Sequence, residues 1–287
     1  MKKLIVTADD FGLSLPVNEA VEQAHRHGIL TAASLMMGAP ACADAVRRAR
    51  QLPNLGVGLH VTLINGRPVL PAEQVPALVR PDGRFFNDPV RSGIALFFSA
   101  DMRRQAAAEI RAQFETFERT GLAFDHINGH LHFHMHPVIS QIVAGLAPKY
   151  GAPPIRIPIE PVLQSYAATS DRIAGRIATW LFFFVQTRLL RWRAIAAGCE
   201  VNDFVFGLND SGAMVEHRVL SFLDHLPAGI GELYFHPATE RWSGADNLPD
   251  DYRPVDEFSA LTSRAVRQKI DSLGVRLASY RGAFKDE

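Results

Sequence analysis

The stretch KKLIVTADDFG (residues 2–12) begins as an apolar run and stops at two consecutive aspartates, Asp9 and Asp10. A run that is apolar throughout reads as a strand buried on both faces, the habit of parallel sheets covered by helices. The same form recurs down the chain, at LTAASLMM (30–37), GVGLHVTL (56–63), FDHING (124–129), PIRIPI (154–159), DFVFGL (203–208), GELYFHP (231–237) and VRLASYR (275–281). Helical patterns lie between these runs, at 17–28, 41–52, 101–121 and 138–151, and Gly28 and Gly121 stand where C-terminal caps are expected. Seven or eight such units in 287 residues favour an α/β fold of one kind, a single closed (β/α) barrel of mostly parallel strands spanning 1–287. The proline-rich, aperiodic stretch 65–89 reads as a long loop insertion above the barrel.

Composition narrows the function. Thirty Lys+Arg balance 30 Asp+Glu, which argues against a nucleic-acid partner held through a general basic surface. The two cysteines, Cys42 and Cys199, are far apart and read as reduced thiols of a cytoplasmic protein. The apolar run near the N-terminus is cut short by Asp9 and Asp10, so it is expected to be a first strand and not a signal peptide. GVGLHV lacks the third glycine of a dinucleotide fingerprint, and neither GxxxxGK[ST] nor GxSxG occurs.

The unusual polar residues fall at strand ends. Asp9 and Asp10 close the first strand, His60 sits near the end of the third, His130 just past the fourth, and His236 at the end of the seventh. The C-terminal end of barrel strands is where active sites are built. Around His130, FDHINGHLHFHMHP (124–137) holds five of the chain's 11 histidines. An Asp and two His from separate strands make a facial ligand set for a divalent ion, with positions left open for water and substrate. A second carboxylate beside that set can take a proton from the attacking water. Each piece also has a plainer reading: an Asp pair caps turns and helices, a lone histidine packs in a core, and a histidine run binds metal incidentally. Their shared location is what favours a site. Two rivals stay open, a phosphoesterase on the same barrel and a non-catalytic metal- or lipid-binding protein.

TADDFGLS, GLHVTL, HINGHLHFHMHP, ELYFHPA and LASYRG, in this order, resemble the YdjC-like carbohydrate deacetylases, which include chito-oligosaccharide deacetylases. The resemblance implies a barrel similar to polysaccharide deacetylases, one divalent ion (Mg²⁺ or Zn²⁺), and hydrolysis of the N-acetyl group of an N-acetylglucosamine-type sugar. It implies Asp10, His60 and His130 as metal ligands, Asp9 as general base and His236 as general acid. Arg156, His132 and His134 are expected to bind substrate. The family usually has Asp-Ser before the last ligand histidine, where this chain has Asn128-Gly129. ATWLFFFVQTRLLRWRAIAAG (178–198), within the apolar helical segment 174–198, is most similar to the hopanoid-biosynthesis-associated branch. That branch implies a lipid-linked substrate, an N-acetylglucosaminyl bacteriohopane polyol. The stretch 177–193 is apolar and aromatic with arginines around it, too short and too polar to span a bilayer, which takes roughly 20 apolar residues. It fits a helix lying at a membrane interface, roofing an apolar ligand, or a barrel helix buried against its neighbours or at a homodimer seam.

Overall fold

The computed structural model describes residues 2–243 and 248–285. Among them seven strands form one sheet: β1 (Lys2–Phe11), β2 (Ala32–Leu35), β3 (Gly56–Val61), β4 (Ile127–Gly129), β5 (Phe204–Phe206), β6 (Gly229–Phe235) and β7 (Arg276–Leu277). All pairings are parallel, in the order β4-β3-β2-β1-β6-β5. The open ends of this path meet through Ile155, which bridges Ile127 of β4 on one side and Val201, ahead of β5, on the other. The sheet therefore curls into a (β/α) barrel, as the apolar runs predict. The expected strand 154–159 is reduced to those two bridges at Ile155 plus a bond from Val205 N to Ile159 O (2.9 Å). Proline at 154 and 158 explains the loss, because neither can donate to a ladder. The expected strand 275–281 is also shorter. β7 pairs only Lys3 and Leu4 of β1, and the chain then turns into a short helix at Tyr280–Ala283.

The helices are α1 (Leu15–His27), α2 (Cys42–Ala49), α3 (Pro89–Phe98), α4 (Ala100–Arg119), α5 (Pro137–Leu146), α6 (Val162–Thr169), α7 (Ile173–Ala196), α8 (Glu216–Asp224), α9 (Pro254–Leu261), α10 (Arg264–Ser272) and α11 (Tyr280–Ala283). Alternation along the strands splits the core in two. Leu4, Val6 and Ala8 of β1, Val57, Leu59 and Val61 of β3, and Leu233 and Phe235 of β6 share one large apolar cluster with the helices. Ile5 and Ala32 join Ala278, Tyr280 and Ala283 of the C-terminal segment in a small separate cluster. Asp9 of β1, Ser34 of β2, His60 of β3, Asn128 of β4 and Glu232 of β6 are polar alternate positions joined by hydrogen bonds directly or through Arg156, so a hydrogen-bonded column stands above that small cluster.

One local expectation changes. Gly121 is left-handed (φ 72°), as a helix cap requires, but Gly28 is extended (φ −123°). Glycine is needed at 28 because a Cβ there would meet the Leu261 carbonyl oxygen at 2.2 Å. The insertion 65–89 is a loop with one 3₁₀ turn at Ala72–Gln74 and a bridge from Val79 to Phe85. It leads into α3, capped by the Asp88 side chain on Arg91 N.

Candidate metal centre and reaction cleft

The site begins with an irregularity in β1. Ala8 pairs Ala33 and Phe11 pairs Leu35, so one extra residue of β1 is accommodated between them. Asp10 takes it up with a left-handed backbone (φ 62°). Consecutive residues of a regular strand point to opposite faces, and the bulge removes that constraint. Asp9 and Asp10 both line the same cavity as a result, each 2% exposed.

Asp10 Oδ1 lies 3.2 Å from His60 Nε2 and 2.9 Å from His130 Nδ1. The three candidate donor atoms fall within 4.8 Å of one another, delivered by β1, β3 and the turn after β4. His60 Nδ1 lies 2.6 Å from Asn128 Oδ1, which can only accept, so Nδ1 carries a proton and Nε2 of the neutral ring presents a lone pair to Asp10. Acceptor atoms facing one another in this way are stable only around a positive charge, a proton or a metal ion. Burial disfavours a protonated His60, but Asp9 and Asp10 outweigh it and raise the imidazole above its usual range. Burial likewise works against an ionised Asp10, and His130 and His60 outweigh it to hold the carboxyl well below the usual range. An Asp/His₂ set of this kind, with one face toward the cavity, fits a divalent ion.

Asp9 belongs to the barrel interior. Arg156 Nη1 and Nη2 donate to its two oxygens at 2.6 and 3.0 Å, and the other edge of the guanidinium donates to Glu232 at 2.8 and 2.6 Å. Tyr280 Oη donates to Glu232 at 2.5 Å. Burial alone would raise the Asp9 carboxyl. The Arg156 guanidinium, with His60, overrides it and holds the group far below the ordinary carboxylate range. Arg156 is fully buried and does not line the cavity, so it stands behind Asp9 and not against substrate. His134 departs from expectation in the same way: it is fully buried, and its Nε2 lies 3.0 Å from the Arg156 carbonyl oxygen. Burial pushes its pKa down to about 3. Leu131 and His132 are both left-handed (φ 51° and 54°), so the histidines at 130, 132 and 134 do not follow the alternation of a strand. His132 does line the cavity, with Nε2 3.0 Å from Tyr234 Oη.

His236 follows β6 and lines the cavity. Its backbone N–H donates to Glu257 at 2.5 Å, its ring is 5.1 Å from that of Tyr252, and Nδ1 is buried with no protein partner. Burial lowers its pKa, so the ring is neutral at rest. The cavity has a volume of about 920 Å³, with Asp9, Asp10, His60, His130 and His236 among its polar lining and Leu131, Phe183, Leu208 and Leu248 among its apolar walls. Arg80 and Asp82 reach it from the insertion. Sequence reasoning left Asn128, Glu232, Tyr234 and Tyr252 without roles. Glu232, Tyr234 and His236 stand two apart in an apolar strand, a polar period of two that marks the barrel interior and could have disclosed the first two.

A carbohydrate deacetylase of Geobacillus stearothermophilus is 32% identical over 282 residues, 98% of each chain. A chitooligosaccharide deacetylase of Proteus mirabilis is 40% identical over 159 residues, 54% of this chain and 58% of that one. The crystal structure of a protein from Enterococcus faecalis V583, described as a candidate for cellobiose-phosphate cleavage, superposes with a TM-score of 0.75 at 26% identity over 98% of each chain. Residues 3–272 match the family described as YdjC-like protein, and the chain belongs to that family.

Proposed function

We infer that the chain is a carbohydrate deacetylase, a metal-dependent hydrolase that removes the N-acetyl group of an N-acetylglucosamine-type sugar carried on a lipid. The convergence of Asp10, His60 and His130 beside a second, independently held carboxylate, Asp9, carries the reading. A divalent ion held by the three would polarise the acetamide carbonyl and acidify the attacking water. Asp9, fixed by Arg156, accepts the proton of that water. His236 supplies a proton to the departing nitrogen, since an amide nitrogen does not leave as an anion. Because burial keeps His236 neutral at rest, the proton it gives the nitrogen is the one Asp9 takes from the water, passed to the ring during the reaction. His132 and Tyr234 face the sugar.

The relatives' names support a sugar substrate. The resemblance of 178–198 to the hopanoid-associated branch supports an N-acetylglucosaminyl bacteriohopane polyol, and so does the position of Phe183. This residue of α7 lines the reaction cavity and also a smaller cavity of about 110 Å³ walled by Trp180 and Phe184. An apolar aglycone leaving the sugar site along Phe183 would meet aromatic surface. The test is acetate release from that glycolipid in vesicles, beside N-acetylated chitobiose, with and without chelator. Chelator-sensitive release from the glycolipid is expected. Preference for the soluble sugar would overturn the lipid assignment, and release that survives chelation would overturn metal dependence.

A further inference from the structure

The ring of Tyr234 is fixed by its surroundings. It points into the barrel from β6, two residues before His236, and the two rings meet edge-on with centroids 5.8 Å apart. Arg156 Cζ lies over its face at 4.8 Å. A Cβ at Gly207 (φ 118°) would meet the ring at 3.1 Å, so glycine there lets the ring lie against the backbone that follows β5. Tyr234 is 2% exposed and lines the reaction cavity. Among the described residues its Oη has one hydrogen-bond partner, His132 Nε2, at 3.0 Å.

The direction of that bond follows from the other nitrogen of the imidazole. His132 Nδ1 is buried and has no partner among the described residues. A neutral imidazole carries one N–H, and an N–H buried without an acceptor costs more than a lone pair buried without a donor. The hydrogen therefore sits on Nε2 and is donated to Tyr234 Oη. A charged ring would donate from Nε2 as well, so the direction does not depend on ionisation. The phenol oxygen accepts from His132, and its own O–H is left for an acceptor in the cavity. A hydroxyl already accepting one bond is the stronger donor in the next.

We propose that Tyr234 determines specificity: its O–H, aimed by His132, donates to a hydroxyl oxygen of the sugar that bears the acetamide. The identity of the sugar rests on the deacetylase reading. In that reading the acetamide carbonyl faces Asp10, His60 and His130, and the nitrogen faces His236, so the acceptor left to Tyr234 is an oxygen of the sugar itself. A site that donates to such an oxygen discriminates against a sugar lacking it, because the donor is then buried and unpaired. The contact exists before and during the reaction alike, so it acts on binding and not on the chemical step.

The test uses the full-length protein, wild type, Tyr234→Phe and His132→Phe, with the methyl glycoside of N-acetylglucosamine and analogues that each lack one of its hydroxyls. Binding of each sugar is measured by calorimetry, and kcat and KM are read from acetate release. Wild type should bind one analogue about tenfold more weakly than the parent sugar. Tyr234→Phe should bind that analogue and the parent equally, with KM for the parent raised about tenfold and kcat within about twofold. His132→Phe should weaken the parent in the same direction, since the phenol loses the bond that aims it. Each comparison is a ratio between two sugars on one protein, so partial unfolding of a variant cancels. If every analogue loses the same factor on Tyr234→Phe as on wild type, Tyr234 reads no hydroxyl and the proposal fails. If Tyr234→Phe lowers kcat with KM unchanged, the phenol serves the reacting carbonyl and the proposal also fails. The expected binding ratios with no acetate released by wild type would support the Tyr234 contact while overturning the deacetylase reading.

Discussion

Asp9 and Arg156 show how one side chain can look functional for two different reasons. Asp9 faces the cavity and is the group proposed to take the proton of the attacking water, so Asp9→Asn should retain metal binding, measured by elemental analysis, and lose turnover by about 10²–10⁴-fold. Arg156 never reaches the cavity. It separates two buried carboxylates, Asp9 and Glu232, with four hydrogen bonds of 2.6–3.0 Å. Removing the charge leaves both carboxylates without their shared cation, and breaking a buried pair of this kind costs about 3–5 kcal/mol. Arg156→Met should therefore lower the free energy of unfolding by that amount in a urea titration. A loss confined to KM, with stability unchanged, would restore the substrate-binding role expected of Arg156 from its sequence context. The strand-end rule made Asp9, Asp10, His60, His130 and His236 legible because they stand out chemically where a barrel puts its site. Asn128 and Glu232 were not legible as partners, since what gives them a role is contact across the barrel between residues far apart in the chain.

At the scale of elements, α9 holds the loop that carries His236. Glu257, fully buried on α9, accepts from His236 N at 2.5 Å and Met214 N at 2.9 Å. Burial raises its carboxyl from 4.5 to about 7, more than the two donors lower it. The folded state thus holds this proton more tightly than the unfolded chain does. Its contribution is fully present below pH 4.5 and is lost as the pH rises to about 7, with an amplitude of about 3 kcal/mol. Glu257→Gln, which cannot ionise, should lack this loss, so the stability difference between wild type and variant should shrink between pH 4.5 and 7.5 in chemical denaturation. A difference that stayed constant across that range would show that Glu257 ionises normally. Among the elements, the long strands were legible as apolar runs because both their faces are buried, and α1, α4 and α5 from periodicity because each buries one face. α3 was not, although Pro89 after Asp88 is a helix start. Its core contact is carried by Leu96 with small neighbours, while Val90, Ile94, Phe97 and Phe98 are exposed, so the apolar residues form no stripe that faces the core. The strand at 154–159 failed for the opposite reason: its apolar content is right, but its prolines leave the ladder without donors.

Over the whole molecule, apolar side chains gather outside the core in two helices that meet one turn. Phe97 of α3 lies 4.5 Å from the ring of His136, and Arg193 of α7 donates to Pro137 O and, at 2.6 Å, to Ser140 Oγ. On α7, Leu181, Phe182 and Val185 are 61–69% exposed, and on α3 Phe98 is 85% exposed. Neither helix carries an acidic residue; Arg176 of α7 is buried in ion pairs with Glu160 and Asp210, while Arg188, Arg191 and Arg193 lie further along it, with Arg188 over the Phe184 ring at 4.3 Å. No helix among the described residues is long and apolar enough to cross a membrane. Apolar residues flanked by arginines instead suit a surface that dips into the headgroup region of an anionic bilayer, where a glycolipid's sugar would be presented. Two charges placed in that surface should oppose both insertion and the lipid's own charge. Leu181→Glu combined with Val185→Glu should reduce co-sedimentation with anionic vesicles at least about tenfold, since each buried leucine- or valine-sized side chain contributes about 1.5–3 kcal/mol. Both positions are exposed, so the melting point and the turnover of a soluble N-acetylated sugar should hold, while turnover of the vesicle-borne glycolipid falls with binding. Should the double variant sediment with vesicles as wild type does, the apolar faces of α3 and α7 meet something other than lipid, and the glycolipid must reach Asp9 from solution.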